Sequence, residues 1–435
     1  MHVRWLFTAL ALAVSTACSA GQEQDVRGEV QELRKLVADQ QKTIEELRRR
    51  LEALEGKKGP EAGQAEEMSF ETPTGSPGGG SPGGRALMLP DLAVIGNHRG
   101  IFAVPRGYEA RNRFQLAELE LALQQPIYTG MNFYATVAGG EDAAFAMGVE
   151  EGYVTLSRPF KLPFDGVVGK RRLQFGKLNA LHPHQWRFVD APAAATAFLG
   201  EEGFFGNGAS LNYTVPVSGA FANLEIGLWG ASSAHAHHDA EHEEEGAGKA
   251  EEEEHHHHGV IGPGFAGDIP VARLWLSRAI GEASELELGV SHATGKGDNG
   301  DPIRLTGLDL TYRCFPSTYS RLQLQGEYYS HRRKERDIGT WHTRSGHYLL
   351  LSYAPDKYYE YGLRFDNTRY PWPLEGREQS LSFIVTNRLS EATLVRLQYK
   401  VGDRTSDLLF PARKGYSEVF LQFIWGGGTH THPLQ

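Results

Sequence analysis

The chain has 435 residues, 23% of them charged, with a net charge of −10 at pH 7 and a mean hydropathy of −0.40. An acidic balance argues against nucleic acid as a partner. Past residue 20 no run of about eighteen apolar residues occurs, which excludes a helical membrane span and leaves a β-barrel as the way for this chain to sit in a bilayer.

Residues 1–20 read as a secretory signal: Arg4, an apolar stretch from Trp5 to Val14, then small residues. Ser15-Thr16-Ala17-Cys18 resembles a bacterial lipobox, with Ser15 where Leu is usual, so lipidation at Cys18 stays open. Two cysteines, Cys18 and Cys314, are too few for a disulfide framework.

Residues 21–58 carry a seven-residue beat. Val30, Val37, Ile44 and Leu51 form one column, and Val26, Leu33, Gln40, Leu47 and Leu54 the other. Charged and amide side chains fill the outside, which is the pattern of a coiled coil of about four heptads. A single amphipathic helix lying on a membrane or barrel is the alternative. Arg50 at g and Glu55 at e resemble a trimer-favouring pairing, although the core columns alone leave a dimer open. Residues 59–88 are Gly, Pro, Ser and Glu with nothing to bury, a tether expected to be disordered.

From residue 89 to 435 short segments alternate with period two. Leu322, Leu324 and Tyr328 point opposite to Arg321, Gln323, Gln325 and Glu327. Tyr359, Tyr361, Leu363 and Phe365 point opposite to Tyr358, Glu360, Arg364 and Asp366. Period two means strand. About sixteen strands follow, with short and long links in alternation, except for a long link at residues 160–170 where a short turn belongs. Links sorted by side predict an all-β transmembrane barrel of antiparallel strands, apolar toward lipid and charged toward a wet lumen. Candidate lumen residues are Glu118, Glu120, Glu151, Glu225, Glu287, Glu327, Glu360 and Glu418. Those of opposite sign are Arg273, Arg304, Arg313, Arg321, Arg364, Arg388, Arg396 and Lys400. The mixture implies a transverse field across the pore, or charges that simply pair and solvate it.

The third outside loop, residues 179–207, is too apolar for water between Ala191 and Gly200. It is expected to fold inward and narrow the pore, with His182, His184, Arg187, Asp190, Glu201 and Glu202 at the constriction. His182 and His184 alone are too few for a confident metal site, and packing inside the lumen is the favoured reading. The fourth, residues 231–268, is rich in His and Glu. His235, His237, His238, His242 and His255, His256, His257, His258 stand among carboxylates, good ligands for zinc, copper or nickel. Irregular spacing makes this a loose, low-affinity trap or a solvated acidic run. His430 and His432 add a weaker cluster.

Lys177-Leu-Asn-Ala-Leu-His-Pro-His184, Phe188-Val-Asp190 and Phe198-Leu-Gly-Glu-Glu-Gly203 resemble a segment of bacterial outer-membrane proteins allied to the phosphate-selective porin O/P family, close to those labelled zinc-regulated outer-membrane receptors. The resemblance covers residues 88–435 and implies a sixteen-stranded, trimeric porin with an inward third loop. These mixed lumen faces depart from the Arg and Lys lining of phosphate-selective members. No nucleophile elbow, Walker loop or zinc-protease helix occurs, so no enzymatic role is expected.

Three functions fit these observations. The first is a passive outer-membrane channel for small hydrophilic solutes or ions, homotrimeric and needing no cofactor. The second is capture and uptake of a divalent metal, with loosely bound Zn2+. The third is a tether whose periplasmic coiled coil reaches peptidoglycan or a periplasmic partner.

Overall fold

The computed structural model describes residues 90–104, 113–141, 147–232, 262–406 and 415–428. The expected signal, coiled coil and linker lie outside the described residues. So do His235, His237, His238, His242 and His255 to His258 of the fourth loop, and His430 and His432.

Sixteen strands are described: β1 (Asp91–Val104), β2 (Arg113–Tyr128), β3 (Met131–Gly139), β4 (Gly148–Leu156), β5 (Asp165–Arg172), β6 (Phe205–Val215), β7 (Phe221–Ser232), β8 (Asp268–Ala279), β9 (Ser284–Lys296), β10 (Pro302–Cys314), β11 (Arg321–Lys334), β12 (Trp341–Ala354), β13 (Tyr359–Arg369), β14 (Gly376–Ser390), β15 (Thr393–Ser406) and β16 (Gly415–Gly428). Each pairs antiparallel with its sequence neighbours, and β1 pairs with β16 from Ala93 opposite Gly428 to Val104 opposite Ser417, closing the barrel. Closure leaves no edge of unpaired backbone groups, the condition for a sheet to stand in hydrocarbon.

The pleat sorts the side chains as the alternation requires. Along β13, Tyr359, Tyr361, Leu363 and Phe365 are exposed on the outer face, while Glu360, Arg364 and Asp366 are buried inside. Along β11, Gln323, Gln325 and Glu327 are inside and Tyr328 outside. Ile226, Leu228, Leu274, Val290, Leu308, Phe383, Leu397 and Val401 continue the apolar exterior around the barrel. So much exposed apolar surface has a solvent partner only in lipid.

Connections on one side are short: 129–130, 216–220, 280–283, 315–320, 355–358 and 391–392. The link expected at 160–170 is corrected by the structure. It spans 157–164, and Asp165–Arg172 is the strand β5. With eight residues β5 is the shortest strand, too short to show its alternation against the charged run Lys170-Arg171-Arg172.

Of four register shifts in the described ladders, the two away from the hairpin turns bear on the interior of the barrel. Thr136 pairs with Glu151 but Val137 pairs with Val149, so Glu150 is the extra residue of β4. Asn97 pairs with Glu118 but His98 pairs with Leu116, so Ala117 is the extra residue of β2. A bulge re-aims side chains locally. Glu150 and Glu151 are consecutive, and both are buried inside the barrel.

Candidate functional site

Between β5 and β6 the chain leaves the wall. Residues 173–204, here L3, lie inside the barrel and contain two single-turn 3-10 helices (Leu178–Ala180 and Pro183–Gln185) and one short α-helix, α1 (Ala193–Leu199). The neck of L3 is closed by Asn179. Its amide donates to the carbonyls of Leu173 (2.8 Å) and Phe204 (2.9 Å), and its oxygen accepts from the Phe204 N–H (2.7 Å). All three bonds are buried, where losing one leaves a polar atom with no water to replace it.

L3 is then pinned to three parts of the wall. On β11, the Glu327 carboxylate accepts from the backbone N–H groups of Lys177 (3.1 Å) and Leu178 (2.8 Å) and the hydroxyls of Tyr329 and Tyr348 (2.8 Å each). Gly176, at φ +67°, lets the chain run against that carboxylate, and a Cβ there would collide with it. On β2 and β4, His182 meets Glu120, Glu150 and Glu151. On β13 to β15, Arg187 donates to Glu360 (2.6 Å), and Arg396 donates to the Phe188 carbonyl (3.2 Å). The Asp190 carboxylate takes Arg364 (2.7 Å), Lys400 (2.9 Å) and Gln398 (2.5 Å).

The apolar stretch that could not stand in water is accounted for. Ala194, Ala195, Ala197, Phe198 and Leu199 share one buried cluster with Phe175, Phe188, Tyr329, Tyr348, Leu350 and Tyr370. This is a hydrophobic core inside a barrel whose inner wall also carries many charged and amide side chains.

What L3 leaves open is a cavity of about 510 Å³ against the other wall. Arg171, Gln174, Lys177, Ala180, Leu181, Asn212, Asn223, Glu225, Arg273, Trp275, Glu287 and Arg313 line it, from β5 to β10 and the first turn of L3. Its basic groups are matched by carboxylates. Arg171 faces Glu225 (3.9 Å), Arg273 faces Asp309 (3.0 Å), Arg313 meets Glu285 (3.1 Å) and Glu287 (2.7 Å), and Lys177 pairs with Glu287.

The expected site residues divide accordingly. Arg273 and Arg313 line the cavity. Arg321 faces inward, on Glu360 at 3.2 Å, next to Arg187. Arg364 and Arg396 face inward but are wholly buried under L3, as is Glu120, with Glu118 beside it on β2. Arg304 is corrected: it stands on the outer face of β10, its guanidinium over the Trp341 ring. Of the constriction residues, His182, His184, Arg187 and Asp190 are buried or held against the wall and line no part of the cavity, and Glu201 and Glu202 are exposed. Residues that sequence reading passed over include Glu150, Arg171, Lys177 and Asn179. The clue for Asn179 was its place between Leu178 and Ala180-Leu181, where a buried amide must satisfy something.

Electrostatics reflect the pinning. Burial would lift the Asp190 carboxyl, but the charges of Arg364 and Lys400 override it and hold Asp190 well below the usual carboxylate range. Burial would lower the His182 imidazole, but the Glu120 charge and the surrounding carboxylates raise it well above its usual value. Burial and the Arg313 charge pull the Lys177 ammonium down against the opposing Glu287.

No family model matches the chain. A protein of Aquifex aeolicus (strain VF5), described only as uncharacterized, is 26% identical over 368 residues, covering 74% of this chain and 70% of the relative. Among solved structures, the outer-membrane channel DcaP of Acinetobacter baumannii superposes with a TM-score of 0.50 at 11% identity, covering 79% of this chain and 99% of DcaP. A loop L8 deletion mutant of OmpT, an outer membrane protein of Vibrio cholerae, gives a TM-score of 0.50 at 8% identity, covering 78% and 99%. At such identities the likeness is one of fold: the closed barrel of this chain is similar to those outer-membrane proteins.

Proposed function

We propose that this protein is an outer-membrane channel for passive diffusion of small hydrophilic solutes or ions. The observation that carries the reading is L3. A loop pinned at three places across the lumen stands beside a cavity lined mostly by polar side chains of β5 to β10. An apolar exterior and the fold shared with DcaP, an outer-membrane channel of Acinetobacter baumannii, support the same reading. Because the basic groups of that cavity face carboxylates, neither sign of ion gains much over the other. The experiment is planar-bilayer recording in a KCl gradient. The expected result is a steady open conductance with a reversal potential close to zero. A reversal potential near the limit for a single permeant ion would exclude the balanced pore, and no conductance at all would exclude the channel.

We further propose a homotrimer, on the heptad columns and the Arg50 and Glu55 pairing of residues 21–58. The peptide 22–58 is expected to weigh three chains in solution. A monomer or dimer would sink this.

A further inference from the structure

We propose that a transition-metal dication of the first row binds between L3 and the barrel wall, held by Glu118 and Glu120 of β2, Glu150 of β4 and His182 of L3. This site is separate from the His-rich fourth loop and from the cavity of the channel. One ligand atom from each of the four residues lies within 4.8 Å of every other.

Three of those atoms carry the inference. Glu120 Oε2, Glu150 Oε2 and His182 Nδ1 are buried and make no well-directed hydrogen bond, although they face one another at ion-pair range and His184 Nδ1 also lies 3.3 Å from Glu120 Oε2. Glu120 is 1% exposed, Glu150 5% and His182 4%. Buried polar atoms normally find partners, so three converging orphans need a reason. His182 Nδ1 lies 3.2 Å from Glu120 Oε2 and 3.5 Å from Glu150 Oε2. Four ligands at bonds of about 2.0–2.1 Å in a tetrahedron stand about 3.3 Å apart, so these two separations fit a zinc-sized ion between the groups as well as they fit an ion pair.

The surroundings orient the donors as a metal site requires. His182 Nε2 lies 3.0 Å from Glu151 Oε2, and Glu151 Oε1 accepts the Arg172 backbone N–H at 2.7 Å. A carboxylate on one ring nitrogen sets the tautomer and turns the lone pair of the other toward the ion. Asn97 donates to Glu118 Oε2 at 3.4 Å, and Arg172 approaches Glu150 through its other oxygen, Oε1, at 3.6 Å. The β4 bulge places Glu150 and Glu151 on one side, so one is free to ligate while its neighbour orients the imidazole. Three carboxylate oxygens and one imidazole suit zinc or manganese. The imidazole and the close spacing disfavour magnesium, which keeps several waters. Bound there, the ion would fasten L3 to the wall at His182.

The test separates this site from the fourth loop. The full chain, without an affinity tag and with His235, His237, His238, His242 and His255 to His258 replaced by Ser, is refolded from urea with Zn2+ and dialysed against metal-free buffer. The expected result is one zinc per chain, with an X-ray absorption shell rich in oxygen and containing one imidazole. His182→Gln and Glu120→Gln, each folded by circular dichroism, are expected to lose it. No retained zinc, a shell of several imidazoles, or equal zinc in folded His182→Gln would overturn the proposal and leave an internal ion-pair network. The zinc content and shell of the chain with an intact cluster decide the matter even where a cluster variant fails to fold.

Discussion

Replacing residues 181–202 with a short Gly-Ser link is expected to raise single-channel conductance several-fold. A barrel of this strand number encloses a water-filled lumen unless something occupies it. Here L3 lies within it, held by an apolar cluster around α1 and contacts to Glu327, Glu120 and Asp190's partners. The replacement keeps the neck, because Asn179, Leu173 and Phe204 remain. The barrel should survive, since its sixteen-strand ladder does not pass through L3 and the uncovered wall charges exchange L3 for water. The apolar face of Tyr329, Tyr348 and Leu350 would be wetted, at some cost in stability but not in closure. Unchanged conductance in a folded replacement would mean that the loop does not limit flow.

The second large effect is expected at Asp190. Its carboxylate bridges Arg364, which has no exposed surface, and Lys400, which is 4% exposed. Asp190→Ala leaves two buried cations with one fewer anion between them, answered by Asp366 (2.8 Å from Arg364) and Glu378 (3.4 Å from Lys400). Removing one partner of such a group costs about 3–5 kcal/mol. Guanidinium unfolding should show the midpoint fall, and recordings should become noisy as L3 works loose. The pH dependence has a definite sign. The folded Asp190 carboxyl titrates below its unfolded value of about 3.9. Its contribution is therefore full above that value and is lost only as pH falls further, through the depressed folded value. A latch that failed on going from pH 6 to pH 5 would contradict this assignment.

The barrel was legible because its rule is local. Alternation at Tyr359 to Asp366 or Arg321 to Tyr328 needs no knowledge of partners, and the exterior and interior faces follow from it. The same rule, applied strictly, would have set Arg304 aside. Arg304 and Arg313 are nine residues apart on one strand without a bulge, so they must face opposite sides. The rule failed at Glu150 for the opposite reason, because a bulge put two consecutive residues on one face. That L3 turns inward followed from its apolar composition, but where it attaches did not. Composition carries no information about which wall a side chain meets, and of the residues expected to narrow the pore His182, Arg187 and Asp190 fasten the loop while Glu201 and Glu202 are exposed. L3's contribution to the cavity lining comes from Gln174, Lys177, Ala180 and Leu181 in its first turns.

The fastening points have a further consequence, for the order in which the molecule can be made. Asp190 is separated from Arg364 by 174 residues and from Lys400 by 210, and Leu178 from Glu327 by 149. Contacts so distant in sequence form late, after the chain between them has been placed. During synthesis and insertion L3 therefore exists for a long interval with its apolar helix and its acidic latch unmatched, while β11 to β15 are still to come. Such a segment is an aggregation hazard until its partners arrive. The neck at Asn179, whose partners are 6 and 25 residues away, can close early and hold the loop as a compact unit through that interval.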